Sequence, residues 1–322
     1  NLISAYILES KNASGSSESG SSTNKKALRY GENPHQKAWF EGNLEEVFEQ
    51  IQGKELSYNN LVDIDAALGL VDEFTDPAVC IIKHTNPCGV ATGENLADAY
   101  RRAFEADTVS AFGGIIAFNR KVDVETATEL DKLFFEVCTA PEYEQEALDI
   151  LTRKKNRMIL KVKNLKRPEL HSKTILNGLL VQDQDSKVET EADFTYATEQ
   201  KPTEQQIDDL LFANKIAKHA KSNTIVLAKN RQLRGIGVGQ TSRVDALEQA
   251  IDKAKRFNLS VDGAAMASDA FFPFPDCVEI AHKAGISSVI HPGGSIRDKD
   301  SIDYCNQNGM AMVLTGFRHF KH

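Results

Sequence analysis

The chain has 322 residues, 41% hydrophobic and 26% charged, with a formal net charge of −8 at pH 7. A chain of this length buries about three quarters of its surface, so it folds as one large domain or two compact ones without disulfide staples. The acidic balance argues against nonspecific nucleic-acid binding, and no apolar run is long enough to span a membrane. The five cysteines show no CxxC pairing, which argues against a disulfide framework or a cysteine-held zinc and fits a reducing cytoplasm.

In chain order, residues 1–10 (NLISAYILES) are too short to fold alone. They read as the last turn of a preceding domain or as a docking arm, and a start on Asn rather than Met fits an excised piece. Residues 11–26 (KNASGSSESGSSTNKK) form a Ser/Gly-rich flexible linker, and ordered sequence is expected from near Leu28. LVDIDAALGLVDEF has helical apolar spacing, and Val79-Cys80-Ile81-Ile82 predicts a strand buried on both faces. Asn86-Pro87 and Gly89 then predict a turn. Neighbours on an extended chain point to opposite sides, so Lys83 and His84 need not serve one task. NLADAYRRAFEAD follows as an amphipathic helix and GGIIAFNR as a strand, and the polar residues 145–200 read as a connector containing a hairpin. TEQQIDDLLFANKIAKHA opens on a Thr cap with a helical stripe. NTIVLAKN reads as a strand, RVDALEQAIDKAKRF as a helix, and ISSVIHPGG and MAMVLTG as short strands. Strands alternating with helices predict an α/β layered sheet. KHTNPCGVA loosely matches KSNTIVLA, and VSAFGGIIAF matches MASDAFFPF, which raises a diverged internal duplication.

Several words carry candidate chemistry. LRYGENPHQ (28–36) sets Arg29, fit for phosphate, beside the stacking ring of Tyr30, although a polar turn would also explain its Gly and Pro. KHTNPCG admits three readings. Lys83 is a surface charge and His84 a satisfied core histidine; or the segment binds metal, for which further ligands at suitable spacing are lacking; or the pair is catalytic. In the last case His84 is a base near neutral pH and Lys83 a cationic donor to developing negative charge. GIGVGQTSR (235–243) is Gly-rich ahead of a helix, as an anion loop requires, but lacks the Walker residues and GxGxxG spacing. SDAFFPFPD (268–276) reads as a rigid apolar loop able to line a pocket for a flat ring, and the closing GFRHFKH as a docked tail.

Together, and in this order, LRYGENPHQ, IIKHTNPCG, SAFGG, KSN, GVGQTSR, SDAFFPFPD, HPGGSIRD and FRHF resemble the AICAR transformylase family. That family is fused to an N-terminal IMP cyclohydrolase domain in a bifunctional purine biosynthesis protein. The resemblance runs from Leu28 to His322. It implies two cytidine-deaminase-like, three-layer α/β/α subdomains arising from a duplication and holding no zinc, here over residues 27–198 and 199–322. The implied reaction moves a formyl group from 10-formyltetrahydrofolate to the 5-amino group of AICAR, giving FAICAR and tetrahydrofolate in IMP biosynthesis. A cytoplasmic homodimer with sites at the subunit interface is also implied, and a structural monovalent cation stays open. Cyclohydrolase activity is expected to be absent, its domain being missing.

By the same resemblance Lys83, His84 and Asn223 are catalytic. Arg29, Tyr30, Asn60, Phe112, Gly113, Glu136, Arg318 and Phe320 contact the nucleotide, with Glu136 the loosest match because some relatives carry Asp there. Arg243, Val244, Phe271, Pro273, Phe274 and Asp276 contact folate, and contacts from an insertion that this chain lacks do not carry over. Two other functions compete. A zinc nucleoside deaminase requires HxE and PCxxC, and neither occurs. A noncatalytic nucleotide-binding module has no need of an intact Lys83–His84 pair.

Overall fold

The computed structural model describes residues 25–322, so the expected remnant at 1–10 and the linker through residue 24 lie outside the described residues. Lys25 and Lys26, at the end of the expected linker, already pair in a strand. That strand, β1 (Lys25–Leu28), forms a hairpin with β2 (Ala38–Glu41), followed by α1 (Leu44–Val47) and β3 (Phe48–Gln52). The first half continues with α2 (Tyr58–Val71), β4 (Ala78–Lys83), β5 (Asn86–Thr92), α3 (Leu96–Glu105) and β6 (Ile115–Phe118). It closes with α4 (Val124–Asp131), β7 (Val137–Ala140), α5 (Gln145–Leu151) and β8 (Met158–Val162). The polar connector holds the expected hairpin, β9 (Leu170–Ile175) with β10 (Gly178–Asp183), and then β11 (Thr195–Tyr196). The second half runs α6 (Glu204–His219), β12 (Ile225–Lys229), β13 (Gln232–Gly237), α7 (Arg243–Arg256) and β14 (Ala265–Ser268). Then follow α8 (Asp276–Lys283), β15 (Ser288–His291), α9 (Asp298–Gln307) and β16 (Ala311–Leu314).

Twelve of these strands form one mixed sheet in the order β11-β16-β15-β14-β12-β13-β5-β4-β6-β7-β8-β3. β11 lies just before the boundary expected at residue 199, yet pairs with the last strand. Helices cover both faces, which is why β4 is apolar from Ala78 to Ile82. Its Cys80 and Ile82 face a core shared with α2 and α6, while Val79 and Ile81 face the core under α3, α4 and α5. A third core lies between the second half of the sheet and α7, α8 and α9. Burying each such large apolar side chain is worth about 1.5–3 kcal/mol, so the three cores hold the layers together.

The two halves share one order of elements. In each, a helix precedes an antiparallel hairpin, a third strand pairs antiparallel with the first, and two more follow in parallel. The sequence matches expected between the halves do not follow this order. β12 occupies the place of β4, so KSNTIVLA corresponds to the run into β4 rather than to KHTNPCGVA at its end. SAFGG precedes β6, whereas SDAFFPF follows β14.

Two local expectations also fail for a physical reason. Asn86 to Gly89 do not turn; they lie in β5, and the turn falls at His84 and Thr85, with φ of 51° and 64°. A Cβ on Gly89 would sit 2.2 Å from the carbonyl oxygen of Ala103, so this glycine admits α3. In GIGVGQTSR, Gly235 and Gly237 likewise lie in β13, where a Cβ would stand 2.1 Å from the Ala250 oxygen and 1.9 Å from the Ala246 oxygen. Only Gly239, at φ +65°, belongs to a turn. The glycines serve helix packing and not an anion loop.

Candidate active site

The sheet topology brings the expected residues to one edge. β4 ends at Lys83 and β5 begins there at Asn86; β13, on the other side of β5, runs in the same direction as β4, so it too ends at this edge while β12 begins there. The starts of β6 and β7 and the ends of β14, β15 and β16 complete the row. Strand ends that meet along an edge are where α/β proteins build sites, because loops there are free of ladder constraints.

From the first half, the half-buried Lys83 donates from Nζ to the Phe112 carbonyl over 2.6 Å. Gly113 follows at φ +70°, where a Cβ would come within 3.2 Å of that Nζ, so glycine keeps the lysine's place clear. The exposed ring of Phe112 packs 5.1 Å from that of Phe134. Asn60, buried in the first turn of α2, closes a capping box with Ser57 and donates from Nδ2 to Glu136 over 2.9 Å. The neighbouring Asn59 donates to the Glu32 carbonyl at 3.2 Å, docking the loop that carries Arg29 and Tyr30 against the same helix. The Arg29 guanidinium lies 5.3 Å from the Tyr30 ring.

His84 stands exposed on the turn, with its carbonyl bound by the Asn86 amide at 3.0 Å. Asn86 Oδ1 in turn accepts from the Lys221 backbone at 3.3 Å, so one side chain ties the Lys–His turn to the KSN segment. There Asn223 donates from Nδ2 to the Gln240 carbonyl over 2.9 Å. Ser222 and Lys321 exchange hydrogen bonds at 3.0 Å, which seats the C-terminal tail beside it. The tail therefore docks, as its composition predicts.

The second half adds a cationic and aromatic group. The Arg318 and Arg243 guanidinium carbons lie 4.4 and 5.8 Å from the Phe320 ring, so a residue expected to contact folate meets two expected to contact nucleotide. Arg243 opens α7 and faces the fully buried Asp269 carboxylate at 3.6 Å. Burial lowers the arginine's pKa, with Asp269 opposing. Val244 is half-buried against the third core. In the SDAFFPFPD loop Phe271 is half-buried, Pro273 and Phe274 are exposed, and Asp276 begins α8. The Arg297 guanidinium covers Phe274 at 5.0 Å.

Sequence reading missed four residues of this edge. Asp63 accepts the Thr85 amide at 2.7 Å; burial raises its pKa against that hydrogen bond and the facing His84. Asp269 is one. His291 is fully buried, and burial with the nearby Arg243 charge pushes it down to about 3. His319, between Arg318 and Phe320, is gripped by Asp185 and Glu189, each at 2.6 Å. All four left a signal: Asp63 lies one turn beyond Asn60 on the same helix, and Asp269, His291 and His319 lie within the words SDAFFPFPD, HPGGSIRD and FRHF. No group of His, Cys, Asp or Glu able to hold a metal occurs among the described residues, and no helix there is long and apolar enough to cross a membrane.

The fold, a mixed sheet covered by helices on both faces, thus gathers two bases, cations and exposed rings at one sheet edge. Comparison with known proteins is more specific. The chain belongs to the AICARFT/IMPCHase bienzyme family, whose model matches residues 1–253. The bifunctional purine biosynthesis protein PurH of Bacteroides thetaiotaomicron is 57% identical over 299 residues, covering 93% of this chain and 59% of that protein. The PurH protein of Chlorobium phaeobacteroides is 48% identical over 335 residues, covering 99% of this chain and 64% of its own length. The chain thus spans about three fifths of the length of these relatives. Among solved structures, the apo dCMP deaminase of cyanophage S-TIM5 aligns with 35% of this chain and 98% of its own, at 19% identity and a TM-score of 0.27.

Proposed function

We propose that this chain transfers the formyl group of 10-formyltetrahydrofolate to the 5-amino group of AICAR, releasing FAICAR and tetrahydrofolate in purine biosynthesis. The observation that carries the reading is the Lys83–His84 pair, an anchored ammonium next to an exposed imidazole. The substrate amine is conjugated with its ring and carboxamide, so it is a weak nucleophile that must lose a proton as it attacks. His84 takes that proton while the new C–N bond forms at the formyl carbon. Negative charge then develops on the formyl oxygen, which Lys83 stabilises. As the bond to the folate nitrogen breaks, Lys83 gives that nitrogen a proton and the tetrahedral intermediate collapses.

Arg29 and Arg318 suit the nucleotide phosphate, and Tyr30, Phe112 and Phe320 offer rings for its base. Asn60 and Glu136 act as a joined polar pair beside them. Phe271, Pro273, Phe274 and Asp276 suit the folate ring, with Arg243 and Val244 at its edge and Asn223 near the reacting centre. The repeated order of elements supports a duplication of a deaminase-like unit working without zinc. The protein acts in the cytoplasm as a homodimer with shared sites. The test is tetrahydrofolate release on mixing the chain with both substrates. No release from a folded dimer sinks the reading.

A further inference from the structure

Both halves of the sheet contain a two-residue hairpin, and the two are built alike. β4 and β5 join through His84 and Thr85, with φ of 51° and 64°; β12 and β13 join through Asn230 and Arg231, with φ of 53° and 54°. Such a turn demands positive φ at both central residues, which favours Asn and Gly. Asn suits the second turn. His tolerates the first turn, but the β-branched Thr85 does not suit it, nor Arg231 the second, and such a left-handed residue costs about 1–2 kcal/mol. A turn of that kind persists only when its surroundings hold it.

The same device holds both. Asp209, the sixth residue of α6, accepts the Asn230 amide at 2.9 Å and the Arg231 amide at 2.6 Å. Asp63, the sixth residue of α2, accepts the Thr85 amide at 2.7 Å. The two aspartates stand at matching places in the two halves. One braces a turn of no assigned chemistry, and the other braces the turn that bears His84.

We infer that Asp63 is a positioning residue for the formyl transfer: by accepting the Thr85 amide it holds the left-handed turn that presents His84 at the sheet edge. The inference rests on His84 being the base, and it adds why an unfavourable turn is kept there. Released from Asp63, the turn relaxes toward negative φ and swings the imidazole away from the amine. A displacement of about 1 Å is enough to cost on the order of 100-fold in rate.

The internal repeat supplies the control. In the full dimeric protein, Asp63→Ala should lower kcat about 10–100-fold and leave the KM of each substrate within about threefold. Asp63→Asn keeps an oxygen acceptor for the Thr85 amide and should recover most of the loss. Asp209→Ala should lower thermal stability and leave kcat within about twofold. Where Asp63→Ala fails to fold, pairing it with Thr85→Gly supplies a turn that accepts positive φ freely; the folded double variant should then keep most of the wild-type kcat, and an inactive one overturns the inference. A folded Asp63→Ala dimer with wild-type kcat, or an equal kcat loss in Asp209→Ala, overturns the inference. Near-normal turnover in His84→Ala instead overturns the base assignment on which it stands. His84→Ala inactive with Asp63→Ala fully active removes the positioning role alone.

Discussion

His319 and Glu189 lie 2.6 Å apart through Nε2 and Oε1, both side chains buried. Asp185 holds the other ring nitrogen and also accepts the Lys187 backbone amide, with Lys218 of α6 the nearby cation. Burial alone would lower the imidazole's pKa, but the hydrogen bonds it donates to Asp185 and Glu189 overcome this and raise it to about 9. The folded value exceeds the unfolded one, so the clamp stabilises fully below about 6.5 and that stability is lost as pH rises to about 9. We expect the denaturant midpoint of the wild type to fall across this window. His319→Gln should flatten that slope, and an unchanged slope would rule the clamp out.

The clamp matters because its neighbours along the tail are Arg318 and Phe320. Deleting residues 317–322 should weaken AICAR binding by at least tenfold, since a phosphate partner and a pocket wall leave together. Arg318→Ala alone should account for most of that loss. Calorimetry showing undiminished affinity in both would reduce the tail to a plug over Ser222 and Asp269.

His84→Ala should remove most turnover while leaving nucleotide affinity within about threefold, because one proton transfer is worth on the order of 10²–10⁴ in rate. Single-turnover kinetics on the folded dimer check it. Retained turnover would return His84 to a surface role.

Gly237→Ala should destabilise the fold by about 1–3 kcal/mol, the usual cost of overpacking. The added Cβ would lie 1.9 Å from the Ala246 oxygen and press α7 off β13. Chemical denaturation measures this, and a neutral result would mean that α7 shifts freely.

Activity should follow dimerisation. Phe112 and Phe274 are 59% and 50% exposed, and apolar rings at a site edge call for a cover. Lys83→Ala and Asp276→Ala, each inactive alone, should regain up to about a quarter of wild-type activity when mixed and exchanged, if each site takes these residues from opposite subunits. No recovery despite demonstrated exchange would place both on one chain.

Much of this protein is legible in its residues because the signals are local. The all-apolar run Val79–Ile82 could only be a strand covered on both faces, and Thr203 followed by Gln206 could only begin a helix, which the observed capping box does. Motif words such as KHTNPCG and SDAFFPFPD identify family and candidate residues without any coordinates. Tertiary structure decided the rest. Gly89, Gly235 and Gly237 look like turn formers in sequence, and they are strand residues because helices cross them at backbone contact. Thr85 takes a conformation against its own preference because Asp63, far back in the chain on another element, supplies the acceptor. Asn86 to Lys221 and His319 to Asp185 and Glu189 likewise join segments more than a hundred residues apart. Local propensity is written along the chain, but which polar groups meet across it depends on how the layers pack.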